Sequence, residues 1–301
     1  MALKEFTHAQ TSALVGEADA LLPHAKWPDD GTGRDPRRQV YTWYQSMMDA
    51  ATGRPAVDDA NFAPVILVDD DFLSWEDGNF WSYNSATGGG TGPAVQSDSQ
   101  GGVLLIYPGS VSCSDCVLVS TNRLVRIDAE TEVYFETRVM PHPRAAAFTG
   151  DIFMFGLVSQ AAGGSMAATG SDHYTSNGGV NPANDEDMIV FYKGNTCSNW
   201  DFSIQDAAIA DPTSDIAVFA SDTWIRFGFH VKPGYDAAGA VSTTKSQITP
   251  YVNGVAGTAG EVTVANIAQG MFLIYLLKSQ AGAGSPNLRI DYVKLAVERA
   301  V

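Results

Sequence analysis

From residue 64 to its end the chain is a succession of short apolar runs with no helical pattern between them. The runs are PVILVDD, GVLLIYPG, CVLVSTN, RLVRID, TEVYFETRVM, DIFMFGLVS, DMIVFYKG, DTWIRFGFHVKP, ITPYVNGV, GMFLIYLLKS and LRIDYVKLAVER, parted by Gly-, Ser- and Asn-rich stretches. So many short strand candidates without crossover helices predict an antiparallel sandwich or barrel. Side chains change face at every residue of a strand. In 131–140 this sets Val133, Phe135, Thr137 and Val139 inward and Glu132, Tyr134, Glu136 and Arg138 on a half-buried, solvent-facing side. In DTWIRFGFHV it sets Ile225, Phe227, Phe229 and Val231 inward, and Trp224, Arg226 and His230 outward. DIFMFGLVS and MFLIYLL are apolar on both faces, as strands covered on both sides are. Asn253-Gly254 sits where a tight hairpin needs positive φ.

Charge narrows the partners. Eighteen Lys and Arg against 34 Asp and Glu leave −16, so a protein that tracks nucleic-acid phosphates is excluded as an expectation, as is an anionic membrane surface. The longest apolar run, MFLIYLL, falls far short of the roughly 20 residues of a membrane helix, so no membrane insertion is expected. MALKEFTHAQ has no apolar signal core, which predicts synthesis in the cytoplasm of a host without a signal peptide.

Residues 1–60 read differently from 61–301 and form a separate helical region ahead of the β-domain. Leu14, Val15, Ala18, Leu21 and Leu22 make one stripe at helical spacing. Asp35 then suits an N-cap, with Pro36 at the first helical position. Val40, Trp43, Tyr44, Met47 and Met48 make a second stripe, and Gly53 is a stop. Aromatics and methionine are enriched where protein surfaces meet, so this second stripe is the predicted docking surface. The alternative is packing on its own domain.

The strand order resembles a concanavalin A-like, laminin-G-like jelly roll. DDFLSWEDGNFW stands at the entry, EVYFETRV precedes DIFMFGLVS, DTWIRFGFHV precedes ITPYVNGV, and LRIDYVKLAVER closes the domain. The resemblance covers residues 64–299 and implies two antiparallel sheets with Phe135, Phe155, Phe227, Phe229 and Ile290 in the core. A helical leader ahead of one acidic jelly roll is similar to bacteriophage capsid decoration and head-fibre proteins. That likeness implies a non-enzymatic virion structural protein on the capsid surface. Its partners would be the major capsid protein or other virion subunits, and sister copies in a homo-oligomer. The alternative is a carbohydrate-binding, lectin-like module, and third a polysaccharide-cleaving glycosidase or lyase.

Laminarinase-type glycosidases of this fold carry Glu, apolar, Asp, apolar, Glu on one strand. Here Glu132 and Glu136 match, but Tyr134 replaces the middle acid. Cα atoms four apart on a strand lie about 13 Å apart, and inward-leaning carboxyls can approach the roughly 5–5.5 Å of a retaining pair. The missing acid and Arg138, a plain cross-strand or along-strand charge partner, give the expectation of no catalytic residues. Cys113 and Cys116 in C-S-D-C are half a zinc site; with Cys197 as a third ligand, a fourth would have to come from His142, His173 or His230. A loop disulfide or free thiols are the expectation, with no metal and no cofactor. Acids at 69–71 and in N-D-E-D at 184–187 suit calcium by ligand type, Asp185 and Asp187 foremost, but lack the spacing of a calcium loop. For glycans the aromatic pool is Trp75, Trp81, Tyr83, Tyr174, Trp200 and Trp224, most of it expected in the core. The candidate ligand residues are Asp172, His173 and Tyr174 in the long loop 159–184, and Trp224, Arg226 and His230 on the strand face.

Overall fold

In the computed structural model the described residues are 65–72, 80–84, 93–96, 102–107, 115–142, 151–159, 187–194, 197–206, 209–267, 270–279 and 286–299. The two expected helices, the stripe Val40, Trp43, Tyr44, Met47 and Met48, the loop residues Asp172, His173 and Tyr174, and Asp185 lie outside them. The strands are β1 (Val65–Asp70), β2 (Trp81–Asn84), β3 (Ala94–Val95), β4 (Leu104–Ile106), β5 (Asp115–Ser120), β6 (Thr131–His142), β7 (Asp151–Ser159) and β8 (Met188–Lys193). They continue as β9 (Asn199–Asp206), β10 (Ile209–Val218), β11 (Ile225–Tyr235), β12 (Val241–Val252), β13 (Val255–Ala256), β14 (Gly260–Thr263), β15 (Met271–Ser279) and β16 (Asn287–Arg299).

All pairs are antiparallel, and they close two sheets. One has nine strands in the order β13-β12-β11-β6-β16-β4-β3, with β1 on β16 and β14 on β12; the other has seven, β10-β9-β8-β7-β15-β5-β2. The expected two-sheet antiparallel sandwich is therefore what the described residues form. The alternating runs explain the layers. Val133, Phe135 and Val139 of β6 and Phe227, Phe229 and Val231 of β11 are buried in one cluster with Phe153, Phe155 and Leu157 of β7 and Leu273, Tyr275 and Leu277 of β15. Ile290 is in the same cluster. Phe155 is a junction: its ring lies 5.2 Å from Phe227, 5.4 Å from Trp200, 5.7 Å from Phe191 and 5.9 Å from Tyr275. Offset and edge-on pairs at such spacings add to the area they bury.

Thr137 is the polar exception in the inward row. Its hydroxyl donates to the Tyr292 carbonyl at 2.8 Å and accepts from the Tyr275 hydroxyl at 2.8 Å. One buried threonine thus ties the two sheets together, and burial pushes the Tyr275 phenol far above its ordinary range. The seven-stranded sheet is apolar on its other face as well, where Val117, Val119, Ile152, Met154, Val158, Val190, Ile274 and Leu276 form a second buried cluster. This is the two-sided covering expected of DIFMFGLVS and MFLIYLL.

Two sequence readings change. RLVRID forms no strand: within it Val125 alone makes an isolated bridge, to Met271. Five strands, β2, β3, β9, β10 and β14, lie outside the runs that predict strands. Asp70 explains one acid of the 69–71 group, since its carboxylate accepts from the Phe72 N–H at 2.8 Å and the Trp81 indole N–H at 2.9 Å. Asp187 likewise accepts from the Ser159 hydroxyl at 3.1 Å while its own N–H donates to that oxygen at 2.9 Å. Among the described residues no three His, Cys, Asp or Glu side chains come together as metal ligands.

Candidate functional site: the outer face of the nine-stranded sheet

β6 lies between β11 and β16, so its outward side chains are flanked on both sides. The register places His230 opposite Tyr134, Gly228 opposite Glu136 and Arg226 opposite Arg138 on β11. On β16 it places Lys294 opposite Glu136 and Tyr292 opposite Arg138. On β12, beyond β11, Tyr251 stands opposite Gly228. Facing residues of an antiparallel pair share a face, so these side chains make one polar field against the apolar core on the other side.

Two carboxylates organise the field. Glu132 Oε1 accepts from the Tyr134 hydroxyl at 2.6 Å and lies 2.5 Å from His230 Nε2. An ionised carboxylate only accepts, so Nε2 carries the proton. The Tyr134 and His230 rings stack, 4.5 Å apart and 8° from parallel. Burial works to raise the Glu132 pKa, but the hydrogen bond and charge of His230, the Tyr134 hydroxyl and Lys232 outweigh it and hold the group below its ordinary value. Four residues along, Glu136 Oε1 accepts from the Tyr292 hydroxyl at 2.7 Å, and its Oε2 lies 3.8 Å from Arg226 Nε. Burial and the Glu136 carboxylate push the Tyr292 phenol well above its usual range.

One expectation for this face is corrected. It is not open to solvent along its whole length: Tyr134 is 0% and Glu136 5% exposed, whereas the Arg138 and Arg226 side chains keep 37%. The Tyr134 ring is stacked on His230, and Glu136 is held by Tyr292 and Arg226. Of the two readings of Arg138, the structure shows the cross-strand charge partner and not the along-strand one. Arg138 reaches Asp291 at 3.0 Å, and its guanidinium lies 5.1 Å from the Trp224 ring centre. A register shift between Ile290 and Tyr292 brings Asp291 there.

Of the candidate ligand residues, Trp224, Arg226 and His230 stand along this face. Glu132, Glu136, Tyr251, Asp291, Tyr292 and Lys294 join them. Sequence spacing gives no sign of the last three, because β16 is 155 or so residues from β6 (Tyr292 to Glu136 is 156). The Tyr251 hydroxyl is buried without a hydrogen-bond partner among the described residues, and burial pushes it up to about 12. A buried donor of this kind calls for an explanation. Trp81 and Trp200 are core residues. His142 pairs with Asp222 at 2.6 Å, and Cys197 is a free thiol. A separate groove of about 390 Å³ runs past Asp215, Ile216, Pro250, Val252 and Val255; among its described lining residues there is no aromatic ring on which a sugar could stack.

No protein-family model matches the chain, and no curated protein matches it. Solved structures do. The endo-1,3-β-glucanase of Streptomyces sioyaensis is similar over 81% of this chain and 99% of its own, at 14% identity and a TM-score of 0.53. Peanut lectin is similar over 79% of this chain and all of its own, at 11% identity and a TM-score of 0.50. A carbohydrate esterase from the Shiga toxin-encoding bacteriophage phi24B covers 79% of this chain and all of its own, at 19% identity and a TM-score of 0.45. The expectation of a non-enzymatic chain is overturned, because the fold is one on which a glucanase is built. Its physical ground was also weak: Tyr134, in the place of the middle acid, itself hydrogen-bonds Glu132. The two sheets, their strand order and the likeness to the glucanase and to peanut lectin agree that the described residues have the two-sheet antiparallel sandwich fold of the concanavalin A type.

Proposed function

We propose that the chain binds carbohydrate on the outer face of the nine-stranded sheet. The observation that carries this is the polar field built on β6, β11 and β16. Glu132, His230 and Tyr134 on one side, and Glu136, Tyr292 and Arg226 on the other, are held by mutual hydrogen bonds and charge contacts. Preset donors and acceptors beside a half-buried aromatic, Trp224, suit a polyhydroxylated ligand. The likeness of the fold to peanut lectin supports the same reading.

Hydrolysis is a second reading, favoured by one observation. Glu132 and Glu136 share this face, and Glu132 is held ionised, as a nucleophile or stabilising carboxylate must be. One experiment addresses both. The full chain is run against immobilised polysaccharides, and reducing ends are counted in the same samples. Retention weakened about tenfold in Glu136→Gln, which loosens the Tyr292 and Arg226 side chains that Glu136 holds, supports binding. Reducing ends that appear with the native chain and vanish in Glu132→Gln and Glu136→Gln support hydrolysis. Retention that both variants leave unchanged counts against this face altogether. The virion role rests on the leader ahead of an acidic jelly roll, and recovery of the chain in purified particles is its test.

A further inference from the structure

Arg138 and Arg226 stand directly opposite each other on β6 and β11. Like charges in facing positions of a sheet repel and destabilise it. Each pair of neighbours compensates only in part. Among the described residues the Arg138 side chain has one hydrogen bond, to Asp291, while Arg226 has Glu136 at 3.8 Å, beyond hydrogen-bonding reach. Both side chains remain 37% exposed. The position of Arg226 is nonetheless built. Asn253 accepts from the Arg226 N–H at 3.0 Å and donates its own N–H to the Arg226 carbonyl at 2.8 Å. Gly254 then closes the hairpin at φ 83°, and a Cβ there would lie 2.8 Å from the Arg226 Nη2. The Asn-Gly hairpin therefore supports one arginine, and the Trp224 ring lies against the other.

Resting on the carbohydrate reading, we propose that this end of the face selects an anionic polysaccharide. Arg138 and Arg226 together take a carboxylate or sulfate group of one sugar, and Trp224 lies beside them. The planar guanidinium fork matches both groups. An anion between the two would relieve their repulsion and fill donors that neither Asp291 nor Glu136 uses. A chain of net charge −16 repels polyanions as a whole. Retention of one would therefore report a local site and not a general attraction.

Affinity electrophoresis of the full chain, in charged and uncharged twins of the same backbone, tests this. Polygalacturonate is compared with its methyl ester, and dextran sulfate with dextran. The expected result is retardation by at least one charged polymer and not by its twin. Polygalacturonate alone would mark a carboxylate ligand and dextran sulfate alone a sulfate ester. Arg138→Gln and Arg226→Gln should each raise the dissociation constant about tenfold, the effect of one charge-assisted hydrogen bond. Arg123→Gln, which removes the same charge beside Phe272 of the other sheet, should not change it. Unchanged melting temperatures would establish that the variants are folded, and Arg226→Lys, which keeps charge but loses the fork, should fall between. Equal retardation by charged and neutral twins, or retardation insensitive to both arginines, overturns the anionic selection and leaves carbohydrate binding standing. Retardation by none of the four overturns both.

Discussion

Phe155→Ala is expected to destabilise the β-domain by about 3–5 kcal/mol, the usual cost of emptying a fully buried phenylalanine site. Phe155 belongs to the seven-stranded sheet, yet its ring touches Phe227 of the other sheet as well as Trp200, Phe191 and Tyr275. Four large rings cannot all move into the space without breaking contacts of their own, so the cavity persists. In urea the midpoint should fall with little change in slope, because the surface exposed on unfolding is nearly the same. Phe155→Leu should cost less than half as much. A loss below about 1 kcal/mol for the alanine variant would mean that the two sheets are not joined through this ring.

His230→Ala should cost about 1–3 kcal/mol at neutral pH, since it removes a hydrogen bond to a charged group and the ring stacked on Tyr134. The same pair fixes a pH dependence. The folded pKa of Glu132 lies below its unfolded value, near 4.3. Its contribution is therefore fully present above the unfolded pKa and is lost as pH falls through the folded one. Stability of the native chain should drop on the acid side of about pH 4.3 more steeply than that of Glu132→Gln, which has no proton to take up. Matching acid limbs for the two proteins would show that Glu132 is not held ionised by His230.

These expectations also mark what the amino-acid pattern discloses. Alternation in 131–140 and 224–231 was enough to divide Phe135, Phe227 and Phe229 from Glu132, Arg226 and His230, because a strand has only two faces. The Asn-Gly pair was enough for its hairpin, where Asn253 and Gly254 both take positive φ. The partners across β16 were not legible. Strict alternation from the inward Ile290 would send Tyr292 inward too; the register shift between them sends Tyr292 to Glu136 instead. β10 escaped notice because IADPTSDIAV carries a proline and two acids. Such a strand is tolerated only at an edge, which is where it lies. RLVRID erred the other way: it has the alternation of a strand, but no neighbour takes more than one bridge from it.

Hydroxyl-radical footprinting, with and without the polysaccharide that the chain retains, tests the location of the site most directly. Side chains are oxidised only where solvent reaches them, and Trp224 and Tyr292 are both partly exposed on the outer face of the nine-stranded sheet. The account predicts that bound polysaccharide lowers oxidation at Trp224 and Tyr292 and leaves the exposed Val218, Val241 and Val255 unchanged. Protection at Val252 and Val255 along the aliphatic groove, with Trp224 and Tyr292 unaltered, would contradict it.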